Sequence, residues 1–183
     1  QQPACLSIHF TAEQAHAQLL LDSEQTNTPD TVKDWPSWLE YFLGLQQPTQ
    51  SFFKQHHQHA ELGPLIQRHP GLRVAQVSSP FEAITWAIIG QQISVAAALN
   101  VRRRFIELAG VQHSSGIWCY PDAQRVAQLS IEALRSVGLS LNKARAMAQI
   151  SQLISSQSLQ FPEHVNTDNV EQLRTELLAI SGI

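Results

Sequence analysis

The chain has 183 residues, 43% apolar and 15% charged, with 12 Lys and Arg against 15 Asp and Glu for a formal net charge of −3. That length holds one or two small domains with a real core, and the apolar fraction excludes a disordered tail. No apolar run nears the roughly 20 residues of a membrane-spanning helix, and the first residues carry no basic-then-apolar signal pattern.

Cys5-Leu6-Ser7-Ile8-His9-Phe10 alternates, with Leu6, Ile8 and Phe10 on one face, as a half-buried strand does. No second strand follows by pattern, so its pairing partners are expected in sequence outside this chain. Thr11-x-x-Gln14 reads as a capping box opening a helix. The polar stretch from Asp22 to Asp34, broken by Pro29, reads as a linker. From Pro36 onward the chain is expected to be helical. Trp38, Leu39, Phe42, Leu43 and Leu45 give an apolar face behind Pro36, and a second helix after Thr49 carries Phe52 and Phe53. A short helix over 64–68 ends at His69-Pro70-Gly71, a breaker and candidate boundary.

Ser79-Pro80-Phe81-Glu82 is a strong helix start, with Ser79 at the N-cap, Pro80 at the first helical position and Glu82 closing a capping box. Phe81, Ile84 and Ile88 form its apolar positions. Gly90-Gln91-Gln92 interrupts them, and Ser94 fits the N-cap of a new helix over 95–108 that Gly110 stops. The reading is two helices joined by a tight corner. Ser130 opens a short helix ending at Gly138, and Ser140 caps a long one over 141–156. Phe161-Pro162 breaks that pattern, and Asp168-x-x-Glu171 opens a last helix bearing Leu173, Leu177 and Ile180.

Cys5 and Cys119 are too few for a disulfide framework, so reduced thiols in an intracellular, cytoplasmic protein are expected. His56, His57 and His59 lack the two-His, four-apart spacing of helical metal ligands and read as a solvated face, with no metal. Phosphate-binding loops of the Gly-x-x-x-x-Gly-Lys type, Gly-x-Gly-x-x-Gly and the Gly-x-Ser-x-Gly nucleophile elbow are all absent from the sequence. The charge is uneven. Residues 71–160 carry 8 basic and 4 acidic side chains, between two net-acidic ends. A polyanion-facing surface and ordinary solvated helix faces both fit that balance. Arg102, Arg103 and Arg104 are consecutive, so they fan around their helix and cannot all face one partner.

The segment from Phe81 to Ala98, centred on Gly90-Gln91-Gln92-Ile93-Ser94, resembles the first DNA-contacting element of the helix-hairpin-helix DNA glycosylase superfamily, nearest to its alkylation-repair, 3-methyladenine type. Leu134-Arg135-x-x-Gly138-Leu139-Ser140-x-x-Lys143-Ala144 resembles that family's middle helix pair, and His69-Pro70-Gly71-Leu72-Arg73 its entry to the helical domain. Residues 177–183, Leu-Leu-Ala-Ile-Ser-Gly-Ile, resemble the first helix and opening of the hairpin, with Ser181 where the family often has Pro. The likeness covers residues 36–183.

The resemblance implies a mostly α fold: a helical glycosylase domain over 36–183, incomplete at its catalytic end, after a remnant of an N-terminal α+β domain with linker over 1–35. It puts Gln91 and Gln92 in the wedge that enters the minor groove, with Gln92 filling the gap of an extruded nucleotide. A solvated helix break is the plain alternative, and Ser94 is an N-cap in either case. Gly182 and Ile183 would offer backbone N–H groups to a phosphate. Lys143 and Arg145 stand near a helix start, suited to phosphate or to solvent. The family's catalytic aspartate follows the hairpin and would lie beyond Ile183, while Asp168 precedes it and fits a cap. The implied function is hydrolytic removal of alkylated purines from double-stranded DNA, without a cofactor, by a monomer that in a bacterium associates with the nucleoid. The chain by itself is expected to be inactive and to be an internal piece of a longer protein. An iron–sulfur cluster downstream stays open. Two other readings remain: a non-catalytic helix-hairpin-helix DNA-binding module, and an all-α protein-interaction domain.

Overall fold

A computed structural model describes residues 3–11, 14–22, 34–162 and 167–182. In chain order these form β1 (Ala4–Phe10), β2 (Ala15–Leu21), α1 (Trp35–Phe42), α2 (Thr49–His56), α3 (Leu62–Arg68), α4 (Pro80–Gly90) and α5 (Val95–Ala109). Then come β3 (Val111–Gln112), β4 (Trp118–Cys119), α6 (Ala123–Ala127), α7 (Ile131–Ser136), α8 (Leu141–Ser155) and α9 (Thr167–Leu178). Two compact units result: Gln25–Ser78, and Gln1–Glu24 together with Ser79–Ile183. The fold is mostly helical, as expected. Most of the linker read between Asp22 and Asp34 lies outside the described residues.

The N-terminal expectation is corrected. Thr11 does not open a helix; the next element is strand β2, antiparallel to β1 with Cys5 opposite Leu20, Ile8 opposite Ala17 and Phe10 opposite Ala15. The partner of β1 is therefore inside the chain. The Thr11–Gln14 pair closes the turn: the Thr11 N–H donates to the Gln14 carbonyl at 2.8 Å, and Thr11 Oγ1 accepts from the Gln14 N–H at 3.0 Å. A Thr hydroxyl bonding an N–H three residues on is common to helix caps and tight turns, so the local motif does not separate them. Cross-strand backbone pairing decides, because it satisfies every donor and acceptor facing it along β1.

In the unit Gln25–Ser78, Trp38 stacks on Phe42 with ring centroids 5.0 Å apart. Gly44 sits at φ +68, and a Cβ there would lie 2.6 Å from the Val74 carbonyl, so only glycine makes this close turn. The Gln47 side chain donates to the Val74 carbonyl at 2.7 Å and accepts its N–H at 3.1 Å, tying the later segment to the end of α1. The histidines serve local ends: His57 Nδ1 meets the Lys54 carbonyl, and His59 Nδ1 accepts the N–H groups of Glu61 and Leu62 as α3 begins.

In the other unit, Ile88, Ile89, Phe105, Val126, Leu134, Met147, Ile150 and Ile180 are fully buried. Ala144, Met147, Ile150 and Ser151 recur along one face of α8, which packs on α4, α6 and α7. α5 ends at Gly110, where a Cβ would stand 2.4 Å from the Cys119 carbonyl, and Arg125 Nε donates to the Ala109 carbonyl at 2.8 Å. α8 is thus the floor on which the corner after α4 and the chain's last described turn both rest.

Candidate nucleic-acid interface

The corner is assembled by local chemistry. Ser79 Oγ accepts the Glu82 N–H at 3.1 Å to start α4, and Ser94 Oγ accepts the Ala97 N–H at 3.3 Å to start α5. Between them Gln91 leaves the helix at φ −54, ψ 130, and Gln92 turns to φ +55. A left-handed backbone at a residue other than glycine costs roughly 1–2 kcal/mol. Residues 91–97 are all exposed, and Val95 (72%) and Leu99 (54%) leave an apolar strip beside the two glutamines. Gln91, Gln92 and Ser94 therefore stand together on one protruding turn.

Lys143 lies in the first turn of α8, and its ammonium donates to the carbonyls of Ile89 at 2.9 Å and Gln91 at 2.7 Å. It is thus bound to the corner's backbone. Partial burial pushes its pKa below the ordinary lysine range. Arg145, two residues on, is exposed.

The hairpin opening meets the same stretch of α8. Ile180 is buried as an anchor, and Gly182 follows at φ +103. A Cβ at Gly182 would stand 3.3 Å from both the Ala146 Cβ and the Asn142 carbonyl, so a bare backbone crosses α8 there. Ile183 lies outside the described residues, as does the side chain of Asp168. The first two turns of α8 thus bring together the corner, Lys143 and Gly182.

The three arginines divide as their spacing requires. Arg102 turns inward to an ion pair with the buried Glu82, its guanidinium over Trp86 at 4.9 Å and Tyr120 at 5.2 Å. Tyr120 is within hydrogen-bond distance of Thr85 Oγ1 at 2.7 Å, and burial pushes its phenol up to about 12. Arg103 pairs loosely with Glu107 at 3.9 Å, and Arg104 Nε donates to the Asn100 carbonyl. Sequence reasoning also missed a cluster on the β3–β4 ribbon. Buried His113 faces Asp22 Oδ1 at 3.0 Å through Nε2, close enough for an ion pair but without hydrogen-bond alignment. Its Nδ1 meets both the Oγ (2.8 Å) and the N–H (3.0 Å) of Ser115. Because both Ser115 groups close on one ring nitrogen, the trio is a turn lock.

Comparison with known proteins places these features in context. Residues 85–178 match the family described as HhH-GPD superfamily base excision DNA repair protein. The chain is similar to DNA-3-methyladenine glycosylase of Bacillus subtilis strain 168, 27% identical over 181 residues, covering 93% of this chain and 57% of that protein. With DNA-3-methyladenine glycosylase 2 of Escherichia coli strain K12 it shares 32% identity over 124 residues, covering 67% and 43%. The fold matches the 3-methyladenine DNA-glycosylase from Archaeoglobus fulgidus at a TM-score of 0.67 and 24% identity, over 81% of this chain and 51% of that one. It matches the 8-oxoguanine glycosylase/lyase of Clostridium acetobutylicum, in complex with double-stranded DNA, at 0.67 and 13%, over 97% and 58%. The chain spans about half the length of the curated relatives it matches.

Proposed function

Because the chain belongs to the HhH-GPD superfamily of base excision DNA repair proteins, we propose that it forms the DNA-gripping part of a DNA N-glycosylase acting on alkylated purines of the 3-methyladenine class. The relatives' names carry the substrate class. The fold does not choose it, since glycosylases named for 3-methyladenine and for 8-oxoguanine match with the same TM-score of 0.67.

An enzyme working on a base inside a duplex must extrude that nucleotide, at a cost of a few kcal/mol in lost stacking and pairing. A side chain that occupies the vacated space offsets part of this cost. Gln92, on an exposed left-handed turn between two capped helices, suits that task, and its amide both donates and accepts toward the base left opposite. A Cβ on Gly90 would meet nothing within 4 Å, so the interior does not demand glycine there, and a bare backbone suits close approach to DNA. Gly182, with Ile183 after it, offers backbone N–H groups to a phosphate, which fixes register without reading sequence. In the reaction, water cleaves the N-glycosyl bond: the base departs, and the sugar carbon keeps a hydroxyl as an abasic site. An aspartate that stabilises the oxocarbenium-like sugar supplies the main electrostatic contribution in this chemistry, and no residue described here is assigned that role. The protein acts as a monomer on duplex DNA, at the nucleoid in a bacterial cell.

The left-handed exposed corner at Gln92 carries this reading. A duplex holding a tetrahydrofuran abasic analogue has already lost the base that the wedge replaces. The full chain should bind it about tenfold or more tighter than the intact duplex, because the extrusion cost is removed. Gln92→Ala should erase most of that difference in a fluorescence anisotropy titration. Equal affinity for both duplexes would overturn the wedge, leaving a module that grips DNA without probing bases.

A further inference from the structure

We propose that Lys143 is a positioning residue, whose ammonium fixes the backbone of the corner so that Gln92 can enter the duplex, and that it is not a phosphate contact. The inference rests on the wedge reading above. Lys143 occupies the first turn of α8, the positive end of that helix, where its own helix disfavours a cation. The compensation comes from α4. Lys143 Nζ bonds the carbonyl of Ile89, among the last acceptors of a helix that ends at Gly90 and leaves its final carbonyls without helical partners, and that of its C-cap residue Gln91.

Those two carbonyls flank Gly90, and the second belongs to the peptide that leads into Gln92. On the far side, beyond Ile93, the Ser94 hydroxyl caps α5. Gln92 and Ile93 are therefore the two residues between a lysine-clamped peptide and a capped helix start, and Gln92 holds a φ that residues with a Cβ leave readily unless their neighbours hold it. Its side chain stays exposed. With two of its three N–H donors on these carbonyls, Lys143 acts on DNA through the shape of the turn. Gly182 crosses the adjacent Asn142 and Ala146, so one helix start sets both the wedge and the hairpin opening.

Two roles for a lysine at a DNA interface differ in salt dependence. A phosphate contact contributes about 0.9 to the slope of log affinity against log salt, whereas a residue that shapes a turn contributes none. In the full chain, Lys143→Met should lower the preference for tetrahydrofuran duplex over intact duplex by about tenfold, the size of a lost charge-assisted hydrogen bond. The salt slope on intact duplex should not change. Lys143→Arg, which keeps a donor near both carbonyls, should restore part of the preference. In a Gln92→Ala background, Lys143→Met should have no further effect on it, because the two residues act as one unit. Lys143→Gln serves the same series if Lys143→Met does not fold. A slope reduced by about 0.9, equal losses on both duplexes, or additive effects of the two substitutions would each overturn the proposal. If Gln92→Ala leaves the preference intact, the wedge reading fails and the proposal falls with it, a result distinct from the others.

Discussion

At Gln92 the backbone takes φ +55 while at Gln91 it stays at φ −54, so two neighbouring glutamines of identical chemistry sit in opposite energetic positions. Replacing Gln92 by glycine removes the left-handed penalty but adds freedom to the unfolded chain, and the two terms nearly cancel. Replacing Gln91 removes no strain, and only the entropy cost of about 0.5–1 kcal/mol remains. Urea unfolding should therefore find Gln92→Gly neutral or stabilising and Gln91→Gly destabilising. Equal losses at both positions would show that Gln92 does not hold a left-handed turn. The motif singled out these two residues as the proposed wedge, but nothing local announced the strain. Lys143 was legible only as a basic residue near a helix start, because its partners are backbone carbonyls 52 and 54 residues away that any amino acid would supply.

Elements whose boundaries are set by i to i+3 chemistry were readable. Ser79, Ser94, Ser130 and Ser140 each accept the N–H of the third residue on, and α4, α5, α7 and α8 start where those serines place them. The same chemistry misled at Thr11 and was overlooked at Asp122, which accepts the Arg125 N–H at 2.7 Å to start the five-residue α6. What no local rule carries is pairing between distant segments, and the hairpin β1–β2 shows it twice: in its own ladder and in its lock to the ribbon β3–β4. There Asp22 accepts the Ser114 N–H at 3.1 Å, 92 residues away, and faces His113. The Ser114 hydrogen bonds hold the Asp22 carboxyl below its usual range, with His113 adding to the effect. A depressed folded pKa means that the unfolded chain takes up the proton first. The contribution is therefore full above the ordinary carboxylate value of about 4 and is lost as pH falls below it. Denaturant midpoints measured from pH 6 to pH 3 should decline less steeply for Asp22→Asn than for the parent. Identical acid limbs would mean that the lock contributes nothing to stability.

For the whole molecule, the net charge of −3 conflicts with a polyanion partner only if the charge is spread evenly, and residues 71–160 carry eight basic against four acidic side chains. Of the eight in residues 71–160, Arg102 is paired with Glu82, Arg125 reaches the Ala109 carbonyl, Lys143 holds the corner and Arg73 bonds Thr49 Oγ1. That leaves Arg103, Arg104, Arg135 and Arg145 as the exposed basic side chains of this segment. If these four side chains alone neutralise phosphates, at about −0.9 each, binding to intact duplex should vary with salt no more steeply than about −4. Backbone N–H groups and the proposed wedge would then carry the rest of the interface. Arginines inside and outside should separate cleanly in the same titration. Arg145→Gln, on the face of α8 beside the hairpin opening, should lower the slope by about 0.9 with the fold unharmed. Arg102→Gln should leave the slope near its parent value but cost about 2–4 kcal/mol of stability, because it removes the guanidinium paired with the buried Glu82 carboxylate. A parent slope steeper than about −4 would mean that further cations reach the DNA, and this division of charge would be wrong. A slope within the bound would mean that the molecule grips DNA chiefly by shape, which suits the proposed glycosylase role of sliding past intact sequence and stopping where a base yields.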